Sequence, residues 1–129
     1  LSNVEQAAGK HLLLVFARRG CMPCENSTSE LKAIYEKHHE KLEIISYYQD
    51  ISASDLKAKA ASNQIEWTIL GTKMRSDRRT MRSYDVGGFP KFVLISPERK
   101  ITYSWKKGYE RGLLLEKLDN FFNAKRSYR

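Results

Sequence analysis

Apolar and polar residues alternate along the chain in a pattern that predicts strands separated by helices. The strongest signal is the run of six apolar residues from Leu12 to Ala17, which is typical of a strand buried on both faces of a sheet. Pro97–Lys100 has the composition of a hairpin turn between two strands. The other predicted strands are Leu42–Tyr48, Trp67–Leu70, Lys91–Ser96 and Ile101–Trp105.

The stretch from about Met22 to Glu40 predicts the first helix. Its apolar residues Leu31, Ile34 and Tyr35 recur at the spacing of one helical face, with charged residues between them. Pro23 suits the first turn of a helix, because the N–H that proline lacks is not needed there. We therefore expect this helix to begin within a few residues of the first predicted strand.

Three further helices are predicted between and after the remaining strands. Asp50–Asn63 holds a helix with Ser52 or Ser54 as N-cap. Arg75–Tyr84 is a short basic helix, and Glu110–Ala124 closes the chain. The residues expected to face inward are Leu56, Ala60 and Ala61 in the first of these, and Leu114, Leu115, Leu118, Phe121 and Phe122 in the last.

The order and number of these elements predict one α/β domain over residues 1–129. Strands alternate with helices until a final hairpin and helix, which specifies a central mixed β-sheet flanked by helices on both faces. A length of 129 residues suits one core better than two. Residues 125–129 are expected to form a frayed basic tail. No apolar run approaches the roughly 18 residues that a membrane span needs.

The charge is basic and unevenly distributed. The chain has 23 Lys and Arg against 15 Asp and Glu, a net charge of +8. Residues 1–70 hold 8 basic and 9 acidic side chains, whereas residues 71–129 hold 15 and 6. Such a surface attracts acidic proteins, nucleic acids or anionic lipids. We expect no nucleic-acid binding, because no aromatic platform or known motif interleaves the basic residues. Those residues are Arg75, Arg78, Arg79, Arg82, Lys106 and Lys107.

The two cysteines of the chain both lie in the tetrapeptide Cys21–Cys24. A disulfide across so short a loop ties no distant segments together, which excludes a disulfide scaffold. A redox dithiol, half of a metal site and chance proximity remain as interpretations. His38 and His39 are adjacent within a predicted helix and lack the paired spacing of zinc ligands. We therefore expect no metal site, and we expect both histidines to be solvated.

The position of the cysteine pair favours redox chemistry. Cys21 follows a buried strand directly and stands at the start of a helix, where the helix dipole and free N–H groups stabilise a thiolate. Cys24 is one helical turn further on, close enough to attack a mixed disulfide formed by Cys21. We therefore expect Cys21 to be the nucleophile and Cys24 the resolving cysteine.

A second feature of the sequence is the break at Gly87-Gly88-Phe89-Pro90, just before a predicted strand. Two glycines and a proline indicate an unusual backbone turn. An X–Pro bond at such a turn is cis in only about one case in twenty. From the residues alone, a trans proline that opens the strand is the simpler interpretation.

Together these segments resemble the thioredoxin-like domain of the TlpA/ResA-type thiol-disulfide oxidoreductases. The resemblance runs from Gly9 to about Asn123, and the combination of a Cys-x-x-Cys motif with a Gly-Phe-Pro turn makes it specific. The stretch between the second strand and this turn matches the extra strand–helix insertion of that family. The segments that carry the resemblance are Gly9–Phe16, Cys21–Cys24, Glu30–Tyr35, Leu42–Ile45, Tyr84–Pro90 and Val93–Ile101.

The resemblance implies a site for extended protein substrates beside the dithiol. By analogy with that family, we expect the Phe89–Pro90 bond to be cis and the backbone of Phe89 to pair with the substrate. Met22, Pro23 and Gly88 then line the same substrate-binding surface. The implied enzyme acts on protein disulfides with no organic cofactor and no metal, and a separate thiol electron donor restores its dithiol. The family also implies an extracytoplasmic bacterial protein, monomeric, with any membrane tether outside this chain.

The chain departs from the family pattern around the dithiol. Gly20 stands where the family has Trp, and Val15 and Ser27 stand where relatives carry buried acids. No proton acceptor for Cys24 is evident, since Glu25 is expected to face solvent. The alternative hypothesis is therefore a redox-weak binding module that holds a protein partner in its groove or on its basic half. Retention of both cysteines favours the enzyme, and the uncharged dipeptide between them favours the reductase direction.

Overall fold

The computed structural model describes residues 9–73, 78–84, 86–105 and 109–127, with the backbone alone at 78, 80, 81 and 124–127. Strands and helices alternate in this part of the chain up to the last hairpin, as predicted. The elements are β1 (His11–Arg18), α1 (Met22–His38), β2 (Leu42–Gln49), α2 (Ala53–Ser62), β3 (Thr68–Gly71), α3 (Arg78–Ser83), β4 (Lys91–Ile95), β5 (Ile101–Ser104) and α4 (Leu113–Ser127).

The five strands form one mixed sheet in the order β3-β2-β1-β4-β5. β1 lies at its centre, parallel to β2 and antiparallel to β4. Seven of the eight residues of β1 are buried, because neighbours cover both of its edges and both of its faces. The predicted mixed sheet with a central apolar strand is confirmed.

Alternate residues of the sheet point to opposite faces and pack against different layers. One face, which includes Leu13 and Val15, packs against α1 and α4. The opposite face, which includes Leu12 and Leu14, packs against the segment that follows α3. The helical residues on the first face include Leu31, Ile34, Leu114, Leu118 and Phe122. The residues of the segment after α3 that pack on the opposite face are Tyr84, Val86 and Phe89.

The boundaries of α4 differ from the prediction at both ends. The helix begins at Leu113 instead of Glu110, because Gly112 takes the left-handed conformation with φ of +83° and ends the preceding loop. It continues to Ser127, so three residues of the expected tail 125–129 are helical. Ala, Lys and Arg are strong helix formers, which accounts for the extension. Residues 128 and 129 lie outside the described part of the chain.

The region between β2 and the Gly-Phe-Pro turn contains α2, β3 and α3, which supply the additional strand and helix. Ser52 is the N-cap of α2, with its side chain accepting from Asp55 N. The inward orientation predicted for Ala61 is wrong, since that side chain is exposed. α2 packs along β3 at the edge of the sheet, where only a narrow stripe of the helix is covered. Of the predicted helix Arg75–Tyr84, residues 78–83 are helical and residues 75–77 lie outside the described ranges.

A buried carboxylate fixes α4 on α1. Glu30 is 8% exposed and accepts three hydrogen bonds, at distances of 2.7 to 2.8 Å. The donors are the hydroxyl of Tyr109 and the backbone N–H groups of Gly112 and Leu115. Two of these donors belong to the start of α4, where backbone N–H groups have no partner within the helix. Glu30 therefore caps α4 from the neighbouring helix.

The expectation that His38 is solvated is wrong. His38 is the last residue of α1 and His39 is its C-cap. The His38 side chain is 12% exposed, stacks on Phe122 and lies 2.7 Å from a carboxylate oxygen of Asp119. It is covered because α4 packs over the end of α1, a contact that sequence periodicity does not reveal. His39 is exposed, as expected.

Candidate active site

The cysteine pair lies at the junction of β1 and α1. β1 ends at Arg18, and Gly20 turns the chain with φ of +79°. Cys21 is the N-cap of α1, and Pro23 lies in the first turn. The two cysteines are joined by a disulfide, with their Cα atoms 5.3 Å apart. Strand, glycine turn and proline thus place the sulfur of Cys21 at the tip of a helix.

The two sulfurs occupy different environments. Cys21 is half-buried, whereas Cys24 is 2% exposed. The backbone N–H of Cys24 donates to Sγ of Cys21, with 3.2 Å between nitrogen and sulfur. A thiolate accepts such a hydrogen bond better than a thiol, and the helix dipole acts in the same direction. The arrangement therefore favours an ionised Cys21 once the disulfide is reduced.

The Gly-Phe-Pro turn lies beside this pair. Phe89 packs against the buried cluster formed by Ala17, Cys24, Tyr48 and Ile51, which Cys21 also contacts. The register of β4 on β1, continued by one residue, sets Pro90 opposite Ala17. Pro90 is buried and the Phe89–Pro90 peptide bond is cis. The residues predicted for the site therefore come together, although Pro90 follows Cys24 by 66 positions in the sequence.

The residues predicted to line a substrate surface are mostly exposed. Met22 is 71% exposed, an unusual fraction for so large an apolar side chain. Pro23 and Gly88 are also exposed, and Phe89 is half-buried. An apolar side chain next to the accessible sulfur can contact a protein substrate without any rearrangement of the fold.

The missing Trp before the first cysteine has a conformational explanation. Gly20 adopts φ of +79°, a region in which L side chains are strained. At the other two departures, the residues that stand in place of acids make apolar or backbone contacts. Val15 packs in the apolar core, and the hydroxyl of Ser27 donates to the carbonyl oxygen of Cys24 at 2.8 Å. The resemblance to the family identified these departures from its pattern, and the structure shows what each of the three residues does.

The expectation that Glu25 simply faces solvent is wrong. Its carboxylate forms an ion pair with Lys59 of α2, with Nζ 2.6 and 2.7 Å from the two oxygens. The Lys59 side chain is 17% exposed and that of Glu25 is 36% exposed. The sequence offered one signal for this pair: Lys59 follows Leu56 by three residues, which places both on the packed side of α2.

Tyr48 lies beneath this ion pair. Its side chain is 4% exposed and belongs to the cluster that contains Cys24. Burial raises the pKa of Tyr48 to about 12, with a further contribution from the charge of Glu25 that exceeds the lowering effect of a hydrogen bond with Thr28. Nζ of Lys59 is 5.4 Å from the centre of the ring. Tyr48 is therefore a neutral phenol throughout the physiological pH range.

The other predicted sites of interest do not join this one. Within the described ranges, no group of three His, Cys, Asp or Glu side chains is placed to hold a metal ion. Arg79 and Arg82 are exposed, whereas Arg75, Lys106, Lys107 and the side chain of Arg78 lie outside the described part. None of the helices described here is both long enough and apolar enough to cross a bilayer.

Comparison with known proteins relates this geometry to a family. Residues 9–101 match the family model described as thioredoxin-like. In a search by sequence, the chain matches no curated protein. The thioredoxin domain of a thiol-disulfide oxidoreductase from Bacteroides vulgatus superposes with a TM-score of 0.77 at 23% identity, over 91% of this chain and 82% of that one.

Two further solved structures share the fold. A thiol:disulfide interchange protein from Bacteroides sp. has a TM-score of 0.75 at 25% identity, over 89% of this chain and 74% of that one. A secreted disulfide oxidoreductase from Mycobacterium tuberculosis has a TM-score of 0.68 at 14% identity, over 90% of this chain and 85% of that one. The family match spans most of the chain and includes both cysteines. The chain therefore belongs to the thioredoxin-like family.

Proposed function

We propose that this chain reduces disulfide bonds in other proteins, with Cys21 as the nucleophile and Cys24 as the resolving cysteine. One observation carries the assignment. The backbone N–H of Cys24 points at the sulfur of Cys21, while Cys24 itself is 2% exposed. The half-buried Cys21 is then the sulfur that a large substrate can reach, and it is also the one whose thiolate is stabilised.

The reaction begins from the reduced dithiol and transfers two electrons. The Cys21 thiolate attacks one sulfur of the substrate disulfide, whose S–S bond breaks and releases a thiolate that takes a proton from water. Cys24 then gives its proton to water and attacks the sulfur of Cys21 in the mixed disulfide. The Cys21–Cys24 bond forms, and the second substrate sulfur leaves as a thiolate. The substrate is reduced and the dithiol is oxidised.

The substrate would lie across Met22, Pro23, Gly88, Phe89 and Pro90. An extended segment of the substrate would pair with the backbone of Phe89, while its apolar side chains contact Met22. The exposure of Met22 and the packing of Phe89 against the cysteine cluster support this placement. An extended chain offers free backbone N–H and C=O groups for such pairing.

The reductase direction and the setting are part of the same proposal. The dipeptide Met22-Pro23 adds neither a positive charge nor a side-chain donor to Cys21, so nothing in it stabilises the thiolate as strongly as a powerful oxidant requires. A separate thiol donor would restore the dithiol, with no organic cofactor or metal. We place the protein outside the cytoplasm, as a monomer. The secreted relative from Mycobacterium tuberculosis supports that location.

Reduction of insulin driven by dithiothreitol tests the proposal. The wild-type chain should accelerate precipitation of the insulin B chain well above the rate with dithiothreitol alone. Cys21→Ser should return the rate to that background. Unchanged turnover in Cys21→Ser would contradict the assignment of the nucleophile. A wild-type rate equal to the background would instead favour the binding-module hypothesis.

A further inference from the structure

An acidic side chain shares the helix tip with the nucleophile. Glu25 follows Cys21 by four residues, and its backbone N–H donates to the carbonyl oxygen of Cys21 at 3.1 Å. Residues four apart lie on the same face of a helix, one turn above the other. The carboxylate of Glu25 and a thiolate at Cys21 therefore occupy the same positive end of α1, and like charges at this spacing destabilise each other.

Lys59 neutralises this carboxylate from a different element. Its Nζ contacts both oxygens of Glu25, and its side chain is 17% exposed. The ring of Tyr48 and the packing of α2 hold Lys59 in this position. The ring of Tyr48 lies beneath it at 5.4 Å, and Leu56, one turn earlier in α2, packs in the cluster that contains Cys24. The pair is thus held by the same cluster that holds the dithiol.

The other charges around Cys21 are less well fixed. Arg18 is the last residue of β1 and Arg19 follows it; both are exposed, so solvent and salt screen them. Asp50 stands next to Arg19 when the register of β2 on β1 is continued by one residue. Tyr48 stays neutral, because its pKa is raised to about 12. Among these groups, the pair formed by Glu25 and Lys59 has the contacts to act on Cys21 in a defined way.

We propose that Lys59 is a positioning residue that keeps Cys21 reactive by neutralising Glu25. The inference rests on the proposed role of Cys21 as nucleophile. With Lys59 in place, ionisation of Cys21 occurs beside a compensated carboxylate. Without Lys59, the thiolate forms beside an unpaired negative charge and its formation costs more free energy. The lysine thereby couples α2, which lies outside the cysteine motif, to the chemistry of the dithiol.

Two measurements on the reduced protein test the proposal. The absorbance of the thiolate at 240 nm, followed as a function of pH, gives the midpoint of Cys21 ionisation. The rate of alkylation by iodoacetamide at pH 6 gives the reactivity of Cys21. In Lys59→Met, the midpoint of the Cys21 titration should rise by about half a pH unit. Because a more basic thiolate is also more nucleophilic, the alkylation rate should fall only about twofold. Glu25→Gln should move the midpoint in the opposite direction.

Three further variants separate this mechanism from a structural effect. In the Glu25→Gln background, Lys59→Met should raise the midpoint by less than it does with Glu25 present, because no carboxylate is then left unpaired. Lys59→Arg should retain the wild-type midpoint, since an arginine can also pair with the carboxylate. Lys57→Met is the matched control from the exposed side of the same helix and should change nothing.

Two results would overturn the inference: an unchanged midpoint in Lys59→Met, or an equal rise with and without Glu25. The second result would mean that Lys59 acts on Cys21 directly. Either result is compatible with a wild-type chain that reduces insulin, so failure of this inference is distinct from failure of the proposed function. If Lys59→Met does not fold, the downward shift in Glu25→Gln still tests the coupling.

Discussion

Sγ of Cys21 accepts a hydrogen bond from the backbone N–H of Cys24, across 3.2 Å, while the side chain of Cys24 is almost entirely buried. The two sulfurs are therefore neighbours with different access to solvent. One is stabilised as a thiolate by the helix start, and the other is surrounded by Ala17, Tyr48 and Ile51. Burial shields the thiol of Cys24 from reagents in solution, although the sulfur of Cys21 stays within its reach.

This difference predicts selective labelling of the reduced protein. With less than one equivalent of iodoacetamide at pH 7, Cys21 should be alkylated at least about tenfold faster than Cys24. Fragmentation of the peptide that contains both cysteines by tandem mass spectrometry measures the ratio. Denatured protein is the control and should label both cysteines at similar rates. Equal labelling in the folded protein would contradict the assigned roles.

The exposed side chain of Met22 predicts a contribution to substrate binding but not to thiol chemistry. Met22→Gln removes apolar contact worth about 1 kcal/mol, which corresponds to about a fivefold rise in KM for insulin. The reaction of Cys21 with a small aromatic disulfide should stay unchanged, because that reagent has no chain to lie across the surface. If Met22→Gln slowed the reaction with the small disulfide as much as the reaction with insulin, Met22 would instead act on the cysteine itself.

The three hydrogen bonds to Glu30 predict that this residue stabilises the fold. In Glu30→Gln, an amide replaces one acceptor oxygen and faces donors of α4. The free energy of unfolding should fall by about 2 kcal/mol, as measured by urea denaturation. Glu36→Gln is the matched control, since Glu36 is an exposed residue of the same helix, and it should change stability by less than about 0.5 kcal/mol. Equal effects of the two substitutions would contradict the capping role.

Asp119 predicts a stability difference that depends on pH. Burial raises the pKa of Asp119, but hydrogen bonds from Lys37 and His38 outweigh this effect and bring it below its ordinary value of 3.8. A carboxyl whose pKa is lowered by folding stabilises the protein above its unfolded value, and this stabilisation is lost as pH falls through the folded value. The wild-type chain should therefore exceed Asp119→Asn in stability at pH 7, and the gap should narrow below about pH 3.8. Thermal unfolding of both proteins at pH 7 and at pH 3 measures the difference in stability between them. An equal difference at the two pH values would contradict the prediction.

Much of this architecture could be predicted because it depends on local patterns. The apolar run of β1 required a central strand, and the spacing of Leu31 and Ile34 required a helix packed on it. The cysteine pair at the start of that helix followed from its position between these two elements. Each of these inferences uses residues within one turn or one strand of each other.

The errors arose where distant segments meet. Lys59 lies 34 residues from Glu25, and Asp119 lies 81 residues from His38, so periodicity in one helix could not show either pair. Backbone conformation was the second source of difference. The left-handed conformation at Gly20 explains the absence of a Trp there, and that at Gly112 sets the start of α4. The sequence gives the positions of the glycines but does not show which of them adopt a positive φ.

Trapping of the covalent intermediate tests the central claim most directly. In Cys24→Ser the mixed disulfide cannot be resolved, so an oxidised protein substrate should remain attached through Cys21. Non-reducing electrophoresis should show this adduct, and reduction with dithiothreitol should separate the two proteins. We expect the adduct in Cys24→Ser and none in Cys21→Ser. An adduct in Cys21→Ser alone, or none in either variant, would contradict this expectation.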